Sequence, residues 1–156
     1  MLDIFLKDES ATNDLGKSIA KLILESSLES IEIHLNGNLG TGKTFLTKSI
    51  LKNSGWERAV KSPTYTLCEE YEFNKMLFLH IDLYRTEEAE DILIFDLDRK
   101  INAKKIIIIE WPERLKSDRP FDMKISFEYK ENSREVKIDV KNNIFNIRLF
   151  MTRIYC

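Results

Sequence analysis

Gly37-Asn38-Leu39-Gly40-Thr41-Gly42-Lys43-Thr44 fits G-x-x-x-x-G-K-[ST], a pattern that carries structural meaning when a strand leads into it and a helix leads out. Both are written in its flanks. Ser30 to Leu35 alternates Ile31, Ile33 and Leu35 with Glu32 and His34, as a strand does, and the residues after Thr44 run as a helix to a stop near Gly55. Three of the chain's five glycines fall within six residues, where a backbone wrapping a phosphate has no room for Cβ atoms. Successive N–H groups and the helix N-terminus then point at the anion. Lys43 supplies a mobile charge for the β and γ phosphates, and the Thr44 hydroxyl suits Mg²⁺. The candidate nucleotide-binding residues are Gly37, Asn38, Leu39, Gly40, Thr41, Gly42, Lys43, Thr44 and Phe45.

Hydrolysis at such a loop needs an acidic group across the metal, held at the end of a buried strand. Two carboxylates qualify. Glu110 follows the aliphatic run Ile106 to Ile109, and Asp82 ends His80-Ile81-Asp82. Spacing leaves open which of them binds metal and which orients water.

The rest of the chain alternates strand and helix patterns without a linker or repeat, which predicts one α/β domain over residues 1–156: a mostly parallel central sheet flanked by helices, with added hairpins. A strand near Asp3 to Leu6 leads to a helix capped at Ser10 or Thr12 and carrying Leu15, Ile19, Leu22 and Ile23. Tyr65 to Phe73 and Met76 to Asp82 read as a hairpin turning at Asn74-Lys75, and the runs around Phe127 and Ile138 as another. Thr86 to Ile101 reads as helical, and the tail 143–156 fits helix and strand, with helix preferred.

Charge narrows the partners. Twenty-four basic against 26 acidic residues give a net charge of -2, so no overall positive field draws nucleic acid. Any RNA connection is expected to run through a partner. Cys68 and Cys156 make no disulfide framework or zinc spacing, and His34 and His80 sit in apolar strands as core histidines. With no long apolar run and no secretory pattern at the N-terminus, a cytoplasmic location is expected.

Four separate blocks, in order, resemble the TsaE family, formerly YjeE. They are His34-Leu35-Asn36-Gly37 entering the loop, Val60 to Leu67 with Glu69-Glu70-Tyr71, His80-Ile81-Asp82-Leu83-Tyr84-Arg85, and Ile109-Glu110-Trp111-Pro112-Glu113. Members of that family are small bacterial P-loop ATPases needed for threonylcarbamoyladenosine in tRNA, working with TsaB and TsaD. The resemblance implies ATP and Mg²⁺ as ligands, Asp82 as a catalytic carboxylate, Glu110 as a metal ligand and Trp111 as a neighbour of the nucleotide. It further implies a switch-like segment from Lys61 through Ser62, Pro63, Thr64, Tyr65 and Thr66, and a place for Thr12 on the adenine side. The chain departs from the family at Asn38, Thr41 and Phe45, where Asp, Ala and Thr are usual, and at Asp96, where glycine is common.

The resulting expectation is a Mg²⁺-dependent ATPase serving a tRNA-modifying complex, with Lys43, Asp82 and Glu110 catalytic and Thr44, Glu110 and Asp82 at the metal. No arginine is placed by sequence as an internal finger, so turnover is expected to be slow without a partner. The rival is a small-molecule kinase in which Arg114, Lys116 and Arg119 form a lid over the phosphates.

Overall fold

A computed structural model of the chain describes residues 1–86 and 96–141. Its elements run β1 (Leu2–Leu6), α1 (Glu9–Glu25), β2 (Ser30–Asn36), α2 (Lys43–Ser54), β3 (Cys68–Phe73), β4 (Met76–Asp82), β5 (Lys104–Glu110), a 3₁₀ turn (Pro112–Arg114), β6 (Met123–Lys130) and β7 (Ser133–Val140). The strands form a single sheet in the order β1-β7-β6-β2-β5-β4-β3. β4, β5, β2 and β6 are parallel neighbours, while β3 at one edge and β7 and β1 at the other join antiparallel. Parallel pairing is therefore confined to the middle of the sheet.

Burial explains that placement. Ile106 to Ile109 are at most 1% exposed, because β5 is covered on both faces, and an unbroken aliphatic run is the sequence form of such a strand. On one face Ile31, Ile33, Leu35, Ile106 and Ile108 meet Leu15, Ile19, Ile23, Leu46 and Ile50 of the two helices. Helix α1 lies so close to α2 that a Cβ on Gly16 would fall 2.1 Å from Ser49 Oγ. The opposite face is covered by loops rather than helices among the described residues: Leu97, Ile101, Trp111 and Leu115 lie on Leu79, Ile81, Ile107 and Ile109. Those loops are pinned by Arg119, which donates to Glu32 (2.7 Å) and to Asp98. The expected mostly parallel centre with antiparallel additions is present, and the two described helices flank the sheet on one face.

Local signals fared unevenly. Asp8, rather than Ser10 or Thr12, caps α1, its Oδ1 accepting from Ala11 N–H at 2.9 Å. Gly55 ends α2 with φ 118°. The β3–β4 hairpin turns at Asn74-Lys75, both at positive φ, as a two-residue primed turn requires. Residues 63–66, however, form a turn closed by Leu67 N–H on Pro63 O, so β3 begins at Cys68 and not at Tyr65. Of the helix read over Thr86 to Ile101, residues 96–101 are irregular, with Asp96 at φ 43°, the conformation glycine adopts freely. The remainder, 87–95, and the tail 143–156 lie outside the described residues. No described helix is long and apolar enough to cross a membrane.

Candidate functional site

Three parallel strands end side by side. Leu35 of β2 is in register with Glu110 of β5, and Asp82 of β4 with the same Glu110. The chain leaves β2 for one side of the sheet to make β4 and β5 and returns on the other side as β6. Such a reversal opens a crevice at the carboxyl ends of the strands. A cavity of about 230 Å³ lies there, lined by Leu39, Gly40, Gly42, Lys43, Thr44, Phe45, Asp82, Glu110 and Trp111.

The loop is shaped by its glycines. Gly42 caps α2 at φ 104°, a left-handed position, and no side chain caps the first N–H groups of the helix. A Cβ on Gly37 would meet Phe127 and Thr41 at 2.9 Å. Thr41 is buried and donates to Asn38 O at 2.7 Å. Lys43 Nζ donates to Gly37 O (2.6 Å) and Asn38 O (2.8 Å) and stands 4.6 Å from the centre of the Trp111 ring. Burial pulls the Lys43 pKa down, while the carboxylates of Glu110, Asp82 and Glu113 act to hold the proton on.

Across the cavity the acidic groups are tied together. Thr44 Oγ1 lies 3.0 and 3.1 Å from the two carboxylate oxygens of Glu110 and donates to them. Glu110 is 2% exposed and is gripped from below by His80, whose Nε2 is 2.7 Å from Oε1. A carboxylate accepts, so Nε2 carries the hydrogen. Asp82 is half-buried; burial pushes its carboxyl above the usual carboxylate value, the Tyr84 N–H at 3.0 Å opposes this, and Glu110 adds to it. No group of three or more His, Cys, Asp or Glu that could hold a metal occurs among the described residues. One hydroxyl and two carboxylates are instead an all-oxygen donor set, which fits Mg²⁺ completed by phosphate and water oxygens. Trp111 holds φ 61° at the cavity wall, an uncommon conformation for a bulky residue.

The expected residues do not all converge. Thr12 is fully buried and its hydroxyl lies 3.3 Å from Asp8 O, away from the cavity lining. None of Ser62, Pro63, Thr64, Tyr65 and Thr66 lines the cavity either. Leu67, the residue after that segment, accepts from Asp82 N–H at 3.0 Å and donates to Pro63 O at 2.9 Å, and Tyr65 carries the Arg85 guanidinium 5.3 Å from its ring centre. Of the lid proposed for a kinase, Arg119 is spent on Glu32 and Asp98, and Arg114 lies over Tyr84 and Trp111.

Two residues are nearer the site than sequence reading placed them. His80 is a core histidine, as expected, but it also holds Glu110; its position two residues before Asp82, on the same strand face, was the available signal. Arg134 of β7 lies against Gly42, and nothing local in the sequence announces that contact.

Residues 6–138 match the family model described as threonylcarbamoyl adenosine biosynthesis protein TsaE. Among similar proteins, the tRNA threonylcarbamoyladenosine biosynthesis protein TsaE of Haemophilus influenzae is 34% identical over 142 residues, 90% of each chain. The protein of the same name from Aquifex aeolicus is 37% identical over 139 residues, 87% of this chain and 94% of that one. In structure the chain resembles the crystal structure of Bacillus subtilis YdiB, with a TM-score of 0.69 over 99% of this chain and 93% of the other at 21% identity, a likeness of fold. A match spanning the loop and both carboxylate strands, together with relatives this similar over most of their length, means that the chain belongs to the TsaE family.

Proposed function

We propose that this chain is a cytoplasmic Mg²⁺-dependent P-loop ATPase, one domain over 1–156, that binds and hydrolyses ATP in support of a TsaB–TsaD complex making threonylcarbamoyladenosine in tRNA. The observation that carries the reading is the contact of the Thr44 hydroxyl with both oxygens of Glu110, directly across from Lys43. A surface glycine turn has no reason to aim a threonine at a buried carboxylate.

Each residue has a distinct task. Backbone N–H groups from Gly37 to Thr44 cradle the phosphates, with Leu39, Phe45 and Trp111 walling the cavity. Lys43 exchanges its bonds to Gly37 O and Asn38 O for phosphate oxygens and balances charge on the transferring group. Thr44 and Glu110 would hold Mg²⁺, which would supply charge neutralisation at the phosphates. His80 keeps Glu110 in position. Asp82, whose carboxylate is not engaged by Thr44, orients the attacking water. The Ser62 to Thr66 turn, joined to Asp82 through the two backbone bonds of Leu67, is the segment through which a partner alters that residue.

A small-molecule kinase is the alternative, and the engagement of Arg119 elsewhere weighs against its lid. Steady-state ADP release, measured for the chain alone, with candidate small acceptors, and with TsaB plus TsaD, separates the two. Slow release alone and acceleration by TsaB and TsaD is expected, because a partner can supply transition-state stabilisation worth several kcal/mol, on the order of an arginine finger. Acceleration by an acceptor with no response to TsaB and TsaD would overturn the ATPase reading.

A further inference from the structure

Arg134 is the second residue of β7, in register with Leu6 of β1 and Tyr129 of β6. Alternation along the strand sets it on the face of Val136 and Ile138, which is the helix face of the sheet. There its side chain runs along the last glycine of the loop: a Cβ on Gly42 would lie 3.6 Å from Arg134 Nε and 3.7 Å from Cδ and Cζ. Nε is shielded from solvent and has no hydrogen-bond partner. A shielded donor on a permanent cation is costly to leave unpaired. Such a group is accounted for when its acceptor arrives with a ligand.

The direction of approach says which part of the ligand it meets. Lys43 and Thr44, which serve the β and γ phosphates and the metal, extend toward Trp111 and Glu110 on the β5 side of β2. Arg134 comes from the β6–β7 side, against Gly42 of the cavity wall and just outside the lining itself. Phe45, in the first turn of α2, brings no polar side-chain atom to the cavity. A ligand phosphate lying away from Lys43 and Thr44 would therefore meet backbone donors and whatever β7 supplies.

We propose that Arg134 is a nucleotide-binding residue that donates to the α-phosphate of a bound nucleoside diphosphate or triphosphate. The inference rests on the reading of the loop as a nucleotide site. A guanidinium fork matches phosphate oxygens in shape and charge. The α-phosphate is present in ADP and ATP alike and is not the group transferred, so the contact strengthens both complexes equally.

Calorimetric titration of Mg·ADP and of a non-hydrolysable ATP analogue into wild type, R134M, R134K and K43A tests this. R134M is expected to lose roughly tenfold in affinity, as for loss of one charge-assisted hydrogen bond, by the same factor for both ligands. R134K is expected to lose less, again equally for both. Affinities of R134M within twofold of wild type, while K43A loses binding, overturn the role of Arg134 and leave the nucleotide site standing. A loss confined to the triphosphate overturns the α-phosphate assignment. Absence of binding in wild type overturns the nucleotide site itself, and this proposal with it. Where R134M melts below wild type without nucleotide, R134K decides: an equal partial loss supports the proposal, and full retention overturns it.

Discussion

The two flanks of β2 reach the same loop in different states. On the β5–β4 flank the side chains are already tied to one another: Thr44 to Glu110, Glu110 to His80, and Asp82 to the Tyr84 N–H. On the β6–β7 flank Phe127 closes on Gly37, and Arg134 lies on Gly42 with a shielded donor unpaired. Under the proposed function the difference separates two kinds of work. Groups that stabilise a transition state act best when their positions are fixed before the reaction, since they then need no reorganisation. A group that only holds ligand can wait for it.

That contrast is broken if substitutions on the carboxylate flank change affinity alone. Asp82→Asn is expected to have the largest effect, a loss of about a hundredfold in turnover, as for removal of a group that positions or deprotonates the nucleophile. Nucleotide affinity is expected to stay near wild type in a parallel binding titration. A variant turning over normally would confine Asp82 to a structural part.

A smaller effect is expected for Thr44→Ala and Glu110→Gln. Each removes one oxygen partner of the cation, so the Mg²⁺ concentration giving half-maximal turnover rises on the order of tenfold. Identical Mg²⁺ curves for both variants and wild type would remove these residues from the metal.

The smallest effect sharpens the comparison through stability. Burial raises the Asp82 carboxyl above 3.8, so the folded chain binds that proton more tightly than the unfolded chain does. The stability tied to the neutral acid is complete below pH 3.8 and is lost as pH rises through the raised native value. Asn stays neutral throughout. Asp82→Asn should therefore melt slightly higher than wild type at pH 7, with the gap closing below about pH 4 in thermal scans. A gap of the same size at both pH values contradicts this sign.

How much of the site could be read in the sequence follows the same division. The carboxylate flank is written in short segments: the loop itself, Ile106 to Glu110, and His80 to Asp82 are each a run whose alternation or continuity states its strand and its face. The other flank depends on topology. Arg134 reaches Gly42 because β7 lies between β6 and β1, and nothing near Arg134 in the chain encodes that neighbour. Local competition caused the remaining misses. Tyr65, Thr66 and Leu67 are strand-forming types, but Pro63 O captures Leu67 N–H and Leu67 turns to φ 61°, delaying β3. Asp8 outcompetes Ser10 as cap because its carboxylate reaches the N–H of Ala11, three residues on.

The central claim is that the end of β2 is a Mg²⁺-dependent ATP hydrolysis site, and a single-turnover reaction tests it without regard to how slow the isolated chain is. Protein in excess over ATP labelled at the γ-phosphate is followed with Mg²⁺ and with the cation chelated. The account predicts that free phosphate and ADP appear together, at equal amounts, when Mg²⁺ is present, and that ATP stays intact when it is chelated. ATP remaining intact under both conditions, or hydrolysis at the same rate with and without Mg²⁺, would contradict it.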